Sequence, residues 1–207
     1  MTVSDVCEAM KYISETMTRE KDHLIELDQQ NGDGDLGISM SEGYRSVLEL
    51  LLLNTETDLG LVFMNMAMNF NEAAPSSLGT ITSFGMMGMA KKLKGKSEAS
   101  LADLVDAFYA GIENIQKKAG SKAGEKTILD SLIPGIDALK ASVQEGPSIA
   151  FAKAAEAALE GSESTRNMRS VHGRAAYYGD KSIGIIDGGS VVGSLIFKSL
   201  ADCVQRV

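Results

Sequence analysis

The chain is poor in the residues on which many catalytic and metal motifs depend. Of its 207 residues only two are cysteine, Cys7 and Cys203, and only two are histidine, His23 and His172. Each cysteine falls on an apolar helical pattern, where a thiol serves as small core filler rather than as a nucleophile. Neither histidine has partners at metal-ligand spacing, which removes zinc. No Ser–His–Asp arrangement assembles either. Basic residues are outnumbered, 20 against 28 acidic, for a net charge of -8. That sign excludes a nucleic-acid surface or an anionic membrane as the main partner. No apolar run reaches bilayer length; Leu48 to Leu53 is broken by Glu49 and reads as a buried helix end. Met1 to Asp5 shows neither a basic nor an apolar signal region, so the expected compartment is cytoplasmic, with both thiols reduced. Internal repeats and low-complexity tracts are also missing.

What is present is a globular composition, 44% hydrophobic, of a length that suits one domain spanning 1–207. The chain is organised around Leu27-Asp28-Gln29-Gln30-Asn31-Gly32-Asp33-Gly34-Asp35-Leu36-Gly37. Three carboxylates this close repel one another unless a cation sits among them. Hard oxygen donors of that kind suit Mg²⁺ or Ca²⁺. The glycines allow the backbone to turn so that alternate side chains converge. Other readings compete. Gly32-x-Gly34-x-x-Gly37 matches a dinucleotide fingerprint, but Leu24 to Asp28 is a poor strand and the aspartates would repel a bare phosphate. An EF-hand loop beginning at Asn31 fails at its sixth position, where Leu36 replaces glycine. A solvated acidic turn is the plain alternative.

Apolar spacing predicts an all-α fold of roughly eight helices. Val6, Met10, Ile13 and Met17 mark the first. Further helices are expected from Ile38, over Leu59 to Phe70, from Pro75, after Ser100, over Leu129 to Leu139 with Asp130 on the opposite face, over Pro147 to Leu159, and from Val191. Lys91 to Lys96 reads as a basic link, and Ser182 to Ile186 as the one candidate strand. At Pro75-Ser76-Ser77 a helix start would leave N–H groups free for an anion, or Gly79, Gly85 and Gly88 would serve close packing. Gly120 to Thr127 nearly spells a Walker loop, but Glu125 intrudes before Lys126 and a helix precedes it, so a P-loop is rejected. An acidic metal loop, a small-residue helix start and a late glycine-rich loop with Arg174 together outline a metal–phosphate site. Spacing and composition reach no further.

Three motifs stand in one order: Asp28-x-x-x-Gly32-Asp33-Gly34-Asp35-x-Gly37, Gly124-Glu125-Lys126-Thr127-x-x-Asp130, and Gly173-Arg174-Ala175-x-Tyr177-x-Gly179-x-x-Ser182-Ile183-Gly184-x-x-Asp187-x-Gly189. Over nearly the whole chain they resemble the nucleotide-binding domain (DAK2 domain) of dihydroxyacetone kinases, in its free-standing form the L subunit. The resemblance implies a closed antiparallel barrel of about eight helices with the nucleotide site at one end. It implies ADP/ATP with two Mg²⁺, about +4 of charge against the aspartates and a diphosphate. It also implies partners: an M-type phosphotransferase-system donor, and a K-type subunit holding dihydroxyacetone or a related keto-sugar. Carried over by position, Asp28, Asp33 and Asp35 are the metal ligands. Leu36, Gly37, Ile38 and Ser39 face the phosphates, with the turn of Ala73, Ala74, Ser76 and Ser77. Gly120 and Ile128 lie near the adenosine. Arg174 is the catalytic residue, and with Asp187, Gly188 and Gly189 it closes the nucleotide site. Three departures leave donor and acceptor open: Leu36 stands where the family often has His, Glu72-Ala73-Ala74-Pro75-Ser76 replaces a Gly-Gly-x-Ser-Gly turn, and Ile185-Ile186-Asp187-Gly188-Gly189 replaces His-x-Asp-Pro-Gly. The alternatives are a nucleotide-sensing regulator that docks on a transcription factor without chemistry, and simple calcium binding.

Overall fold

A computed structural model describes residues 1–206. Among these residues there are nine α-helices and no strand: α1 (Val3–Arg19), α2 (Lys21–Asp28), α3 (Leu36–Leu52), α4 (Leu59–Ala73), α5 (Ser77–Leu93), α6 (Leu101–Ala119), α7 (Leu129–Ala141), α8 (Pro147–Ser164) and α9 (Gly188–Arg206). Local chemistry sets several of the starts. Thr2 with Asp5 and Ser100 with Asp103 form capping boxes on α1 and α6. The Asp58 carboxylate accepts from the N–H groups of Gly60 and Leu61 on α4, and Pro147 opens α8. The helical stripes read from the sequence are buried, Val6, Met10, Ile13 and Met17 among them.

Eight helices form a ring. Starting from α1 the neighbours run α3, α4, α5, α6, α7, α8 and α9, and α9 packs back on α1; α2 lies outside, against α3 and α9. Neighbours run antiparallel where contacts fix their direction. Lys96 meets Asp103, Lys92 meets Asp106 and Asn114 Nδ2 donates to the Phe84 carbonyl, so α5 and α6 pass in opposite senses. These two approach closely because Gly88 has no Cβ; one there would stand 2.3 Å from the Ala110 carbonyl oxygen. Close packing through glycine is therefore one role of the small residues in α5. The ring is filled by one hydrophobic cluster in which Phe70, Phe197 and Met17 are fully buried. Each contributes about 2–3 kcal/mol of burial.

The structure corrects several local expectations. Lys21 to Asp28, which the apolar spacing leaves without an element, is a helix of its own. Pro75 precedes the Ser76 cap of α5 instead of occupying its first turn. Leu52 and Leu53 are 69% and 85% exposed, so the end of α3 is not buried. Ser182 ends a 3-10 helix (Arg174–Ser182), and residues 183–186 follow it as turn, bend and irregular chain, not as a strand. Lys91 and Lys92 close α5, and the Lys96 carbonyl accepts from Leu59 N–H, so this stretch is tied down rather than a link. Both cysteines are free, and no helix among the described residues is long and apolar enough to cross a membrane.

Candidate metal–nucleotide site

Antiparallel order brings the N-termini of α3, α5, α7 and α9 to one end of the ring. A polar cleft of about 230 Å³ opens there, lined by Leu36 of α3, Ser77 of α5, Ile128 before α7 and Gly188 of α9. The first N–H groups of a helix lack intrahelical acceptors and its dipole is positive at that end. Four such ends around one cleft favour an anionic ligand.

The acidic loop forms one wall. Asp28 ends α2, and its side-chain Oδ2 accepts from Gly34 N–H at 2.7 Å, while its carbonyl accepts from Gly32 N–H at 2.6 Å. Gly34 has φ +79°, and a Cβ on Gly32 would stand 2.1 Å from Asp28 Oδ1. Both positions need glycine for the loop to curl beneath Asp28. The result brings one ligand oxygen from each of Asp28, Asp33 and Asp35 within 4.8 Å of the others. The loop raises the Asp35 pKa above its ordinary value, through partial desolvation first and then the charges of Asp33 and Asp28, with Arg174 opposing. Three carboxylates and one guanidinium leave a negative excess. A hard divalent cation fits that donor set.

The opposite wall is the segment between α8 and α9. Arg174 Nη1 lies 2.8 Å from Asp33 Oδ2, spanning the cleft. It therefore pairs with the acidic loop, not with Asp180 or Asp187. Asp187 caps α9 by accepting Ser190 N–H at 2.7 Å, and donates its own N–H to Thr165 Oγ1 at 3.0 Å. Burial pushes the Asp187 pKa up to about 7; Ser190 N–H and Lys126 oppose the shift, while Asp130 and Asp28 add to it.

The connection between α6 and α7 makes the floor. Asp130 is buried and accepts from the N–H groups of Gly124 and Thr127 at 2.5 and 2.7 Å. The expectation that it faces away from the core is thus overturned: it folds the preceding loop. Glu125 pairs with His172 at 2.6 Å, joining floor to wall. The hydrogen bond to His172 holds the Glu125 carboxyl below its usual range.

The structure gathers most of the anticipated residues. Asp28, Asp33, Asp35, Leu36, Ser76 and Ser77 line the cleft, as do Ile128, Arg174, Asp187, Gly188 and Gly189. Others fall outside its lining. A Cβ on Gly37 would meet the Lys21 carbonyl at 2.1 Å, so Gly37 faces α2. Ile38 is 42% exposed, Ser39 and Ala74 are buried, and Ala73 stands in the last turn of α4. Gly120 ends α6 at φ +69°, one residue before cleft-lining Ser121. Sequence reading missed Asn31, Leu78, Ser121, Lys126 and His172, all on the lining. A second, apolar cavity of about 130 Å³ inside the ring has no acidic or basic side chain on its wall. The chemistry therefore belongs to the polar cleft.

Known proteins share this fold. The family model described as the DAK2 domain matches residues 30–202. The chain is 27% identical, over 88% of either chain, to the ADP-binding subunit DhaL of the PEP-dependent dihydroxyacetone kinase of Escherichia coli (strain K12). It is 31% identical to ADP-binding subunit DhaL of the PEP-dependent dihydroxyacetone kinase 1 of Listeria innocua, over 90% of this chain and 89% of that protein. It superposes with a TM-score of 0.75, at 24% identity, on the crystal structure of the dihydroxyacetone kinase from C. freundii in complex with AMP-PNP and Mg²⁺. That match covers 95% of this chain and 33% of the other, so the chain spans about a third of that kinase. The chain belongs to the DAK2-domain family and is of its DhaL type.

Proposed function

We propose that the chain, as one nucleotide-binding domain over residues 1–207, is the ADP-binding subunit of a dihydroxyacetone-type kinase. It would receive a phosphoryl group from an M-type phosphotransferase-system donor through ADP/ATP. It would pass that group to dihydroxyacetone or a related small keto-sugar on a separate K-type subunit. The observation that carries this reading is the convergence of Asp28, Asp33 and Asp35 opposite Arg174. Two bound Mg²⁺ would supply neutralisation of phosphate charge. The chain's own groups do the rest. The three aspartates would hold the metal, and at the α5 start, capped by Ser76, the Ser77 N–H would donate to phosphate oxygens. Arg174 presents a planar fork suited to those oxygens. Asp187 to Gly189 bound the cleft, and Ile128 gives the purine an apolar surface.

The test is to denature the purified protein and identify what is released. ADP or ATP, retained with Mg²⁺ and lost on EDTA titration, is the expected result. Absence of any nucleotide, with no binding of added Mg-ADP, overturns the reading.

A further inference from the structure

Lys126 departs from the habits of its residue type. Its φ of +61° is the one positive value on a non-glycine residue among the described residues, and only 4% of it is exposed. Its Nζ donates to the carbonyl oxygens of Thr165 at 2.8 Å, Met168 at 3.3 Å, Ser182 at 2.8 Å and Ile185 at 2.5 Å. An ammonium has three N–H donors, so four acceptors share three protons around one charge. Removing the charge would strip four carbonyl oxygens of a buried donor, although Thr165 would keep the Met168 N–H at 3.0 Å.

Those carbonyls stand at two ends of one segment, Thr165 and Met168 at its entrance, Ser182 and Ile185 at its exit. Two further bonds draw the ends together: Gly184 N–H donates to the Arg166 carbonyl at 2.7 Å, and Ser170 N–H to Ser182 Oγ at 3.0 Å. Arg174 rides between the ends. Asp187 follows the exit and is tied to Thr165 by its N–H. The segment is otherwise 3-10 helix and turn, so it has no regular ladder of its own to hold its shape.

We propose that Lys126 is a positioning residue whose ammonium closes the base of the 165–187 segment and so fixes where Arg174 and Asp187 stand in the cleft. The proposal deepens the kinase reading and rests on it for the effect on rate. Displacing a reacting group by about 1 Å costs roughly a hundredfold in rate, so losing the frame falls on transfer more than on fold.

Two variants test it, Lys126→Met, of similar length without charge, and Lys126→Asn, which tolerates a positive φ. The first readout needs no ligand: amide hydrogen exchange along the full chain. Residues 168–185 should exchange about tenfold or more faster while α4 to α6 keep their wild-type rates. Unchanged exchange at 168–185 in both variants overturns the proposal, as does equal acceleration of every helix in both. If Lys126→Met alone loosens the whole chain, Lys126→Asn decides. The second readout is transfer from Mg-ATP to dihydroxyacetone in the presence of the K-type subunit, with Lys126→Asn placed in wild type and in Arg174→Ala. Acting through Arg174, it slows the wild type about a hundredfold and the Arg174→Ala chain far less. Full multiplication of the two losses overturns a positioning role. If wild type binds no nucleotide, the kinase reading fails, while the exchange measurement still decides what Lys126 does.

Discussion

Two clusters of oxygen atoms face each other across the open end of the ring. On one side the carboxylates of Asp28, Asp33 and Asp35 crowd together with one guanidinium, from Arg174, against them. On the other the carbonyls of Thr165, Met168, Ser182 and Ile185 crowd around Lys126. The second cluster carries its own cation, attached to the backbone and buried. The first is largely exposed and over-charged, and the one cation paired with it among the described residues is an arginine whose side chain is 63% exposed. Such a surface pair is worth about 1 kcal/mol or less. One cluster is a permanent fastening; the other, on the proposed reading, would take up a cation and give it back. The permanent one shapes the wall that faces the exchangeable one.

The largest expected effect breaks the exchangeable side. Asp33→Asn and Asp35→Asn should each abolish retention of Mg-ADP, as EDTA should in wild type, because phosphate would otherwise face uncompensated carboxylates. Both variants should remain helical, and the metal-free protein should melt at the same temperature or higher, since each removes repulsion around Asp35. Circular dichroism with a retention assay checks this. Collapse of both variants would make the loop structural.

Next comes the group that joins the two sides. Arg174→Lys keeps the charge but loses the planar fork. It should leave the fold intact and slow phosphoryl transfer about a thousandfold, the scale of arginine contributions in phosphoryl transfer. The measurement is transfer rate with saturating K-type subunit; equal rates would return Arg174 to a surface ion pair with Asp33.

What could be read from the sequence follows the same division. The acidic loop is contiguous, so its three aspartates and its glycines announced it without any fold. The ring was legible as helical periodicity, because stripes such as Val6, Met10, Ile13 and Met17 are set by burial alone. The order of the ring and the placing of Arg174 came only with the family resemblance. In the sequence Lys126 reads only as part of a failed Walker loop, because its partners are backbone carbonyls 39 to 59 residues away. A carbonyl carries no residue identity, so no motif records it. Asp130 was misplaced for a related reason: periodicity sets it opposite the apolar stripe, but its partners are N–H groups of the loop before it. The helix α2 is not legible in the sequence because Lys21, Asp22 and Glu26 leave too short an apolar pattern in eight residues.

A third test sharpens the contrast through pH. The folded Asp187 carboxyl titrates at about 7, against an ordinary value of 3.8. Between these values the folded chain holds a proton that the unfolded chain has released. Stability from this group therefore falls as pH rises from about 4 to about 7, and the penalty is complete above 7. Asp35, also raised, acts in the same direction. Asp187→Asn removes one of the two contributions. The metal-free variant should gain on wild type in melting temperature as pH climbs through that window. A difference that stays constant from pH 4 to 7 would mean that Asp187 is not held up by burial.

The smallest effect belongs far from both clusters and serves as their control. Asp58 caps α4 with two accepted bonds, from Gly60 N–H at 2.7 Å and Leu61 N–H at 3.2 Å, and its other oxygen accepts Gly95 N–H at 2.9 Å beyond the end of α5. It thus fastens two neighbouring helices at the end of the ring away from the cleft. Removing a cap of this kind costs about 1 kcal/mol, and up to about 2 where other bonds are lost with it. Asp58→Ala should lower the melting temperature by a few degrees, as about 1 kcal/mol does in a chain of this size. It should leave Mg-ADP retention, and the exchange rates at 168–185, at wild-type values. If retention falls with the cap, the cleft responds to general loosening of the ring. The losses expected at Asp33 and Asp35 would then no longer isolate the cation site.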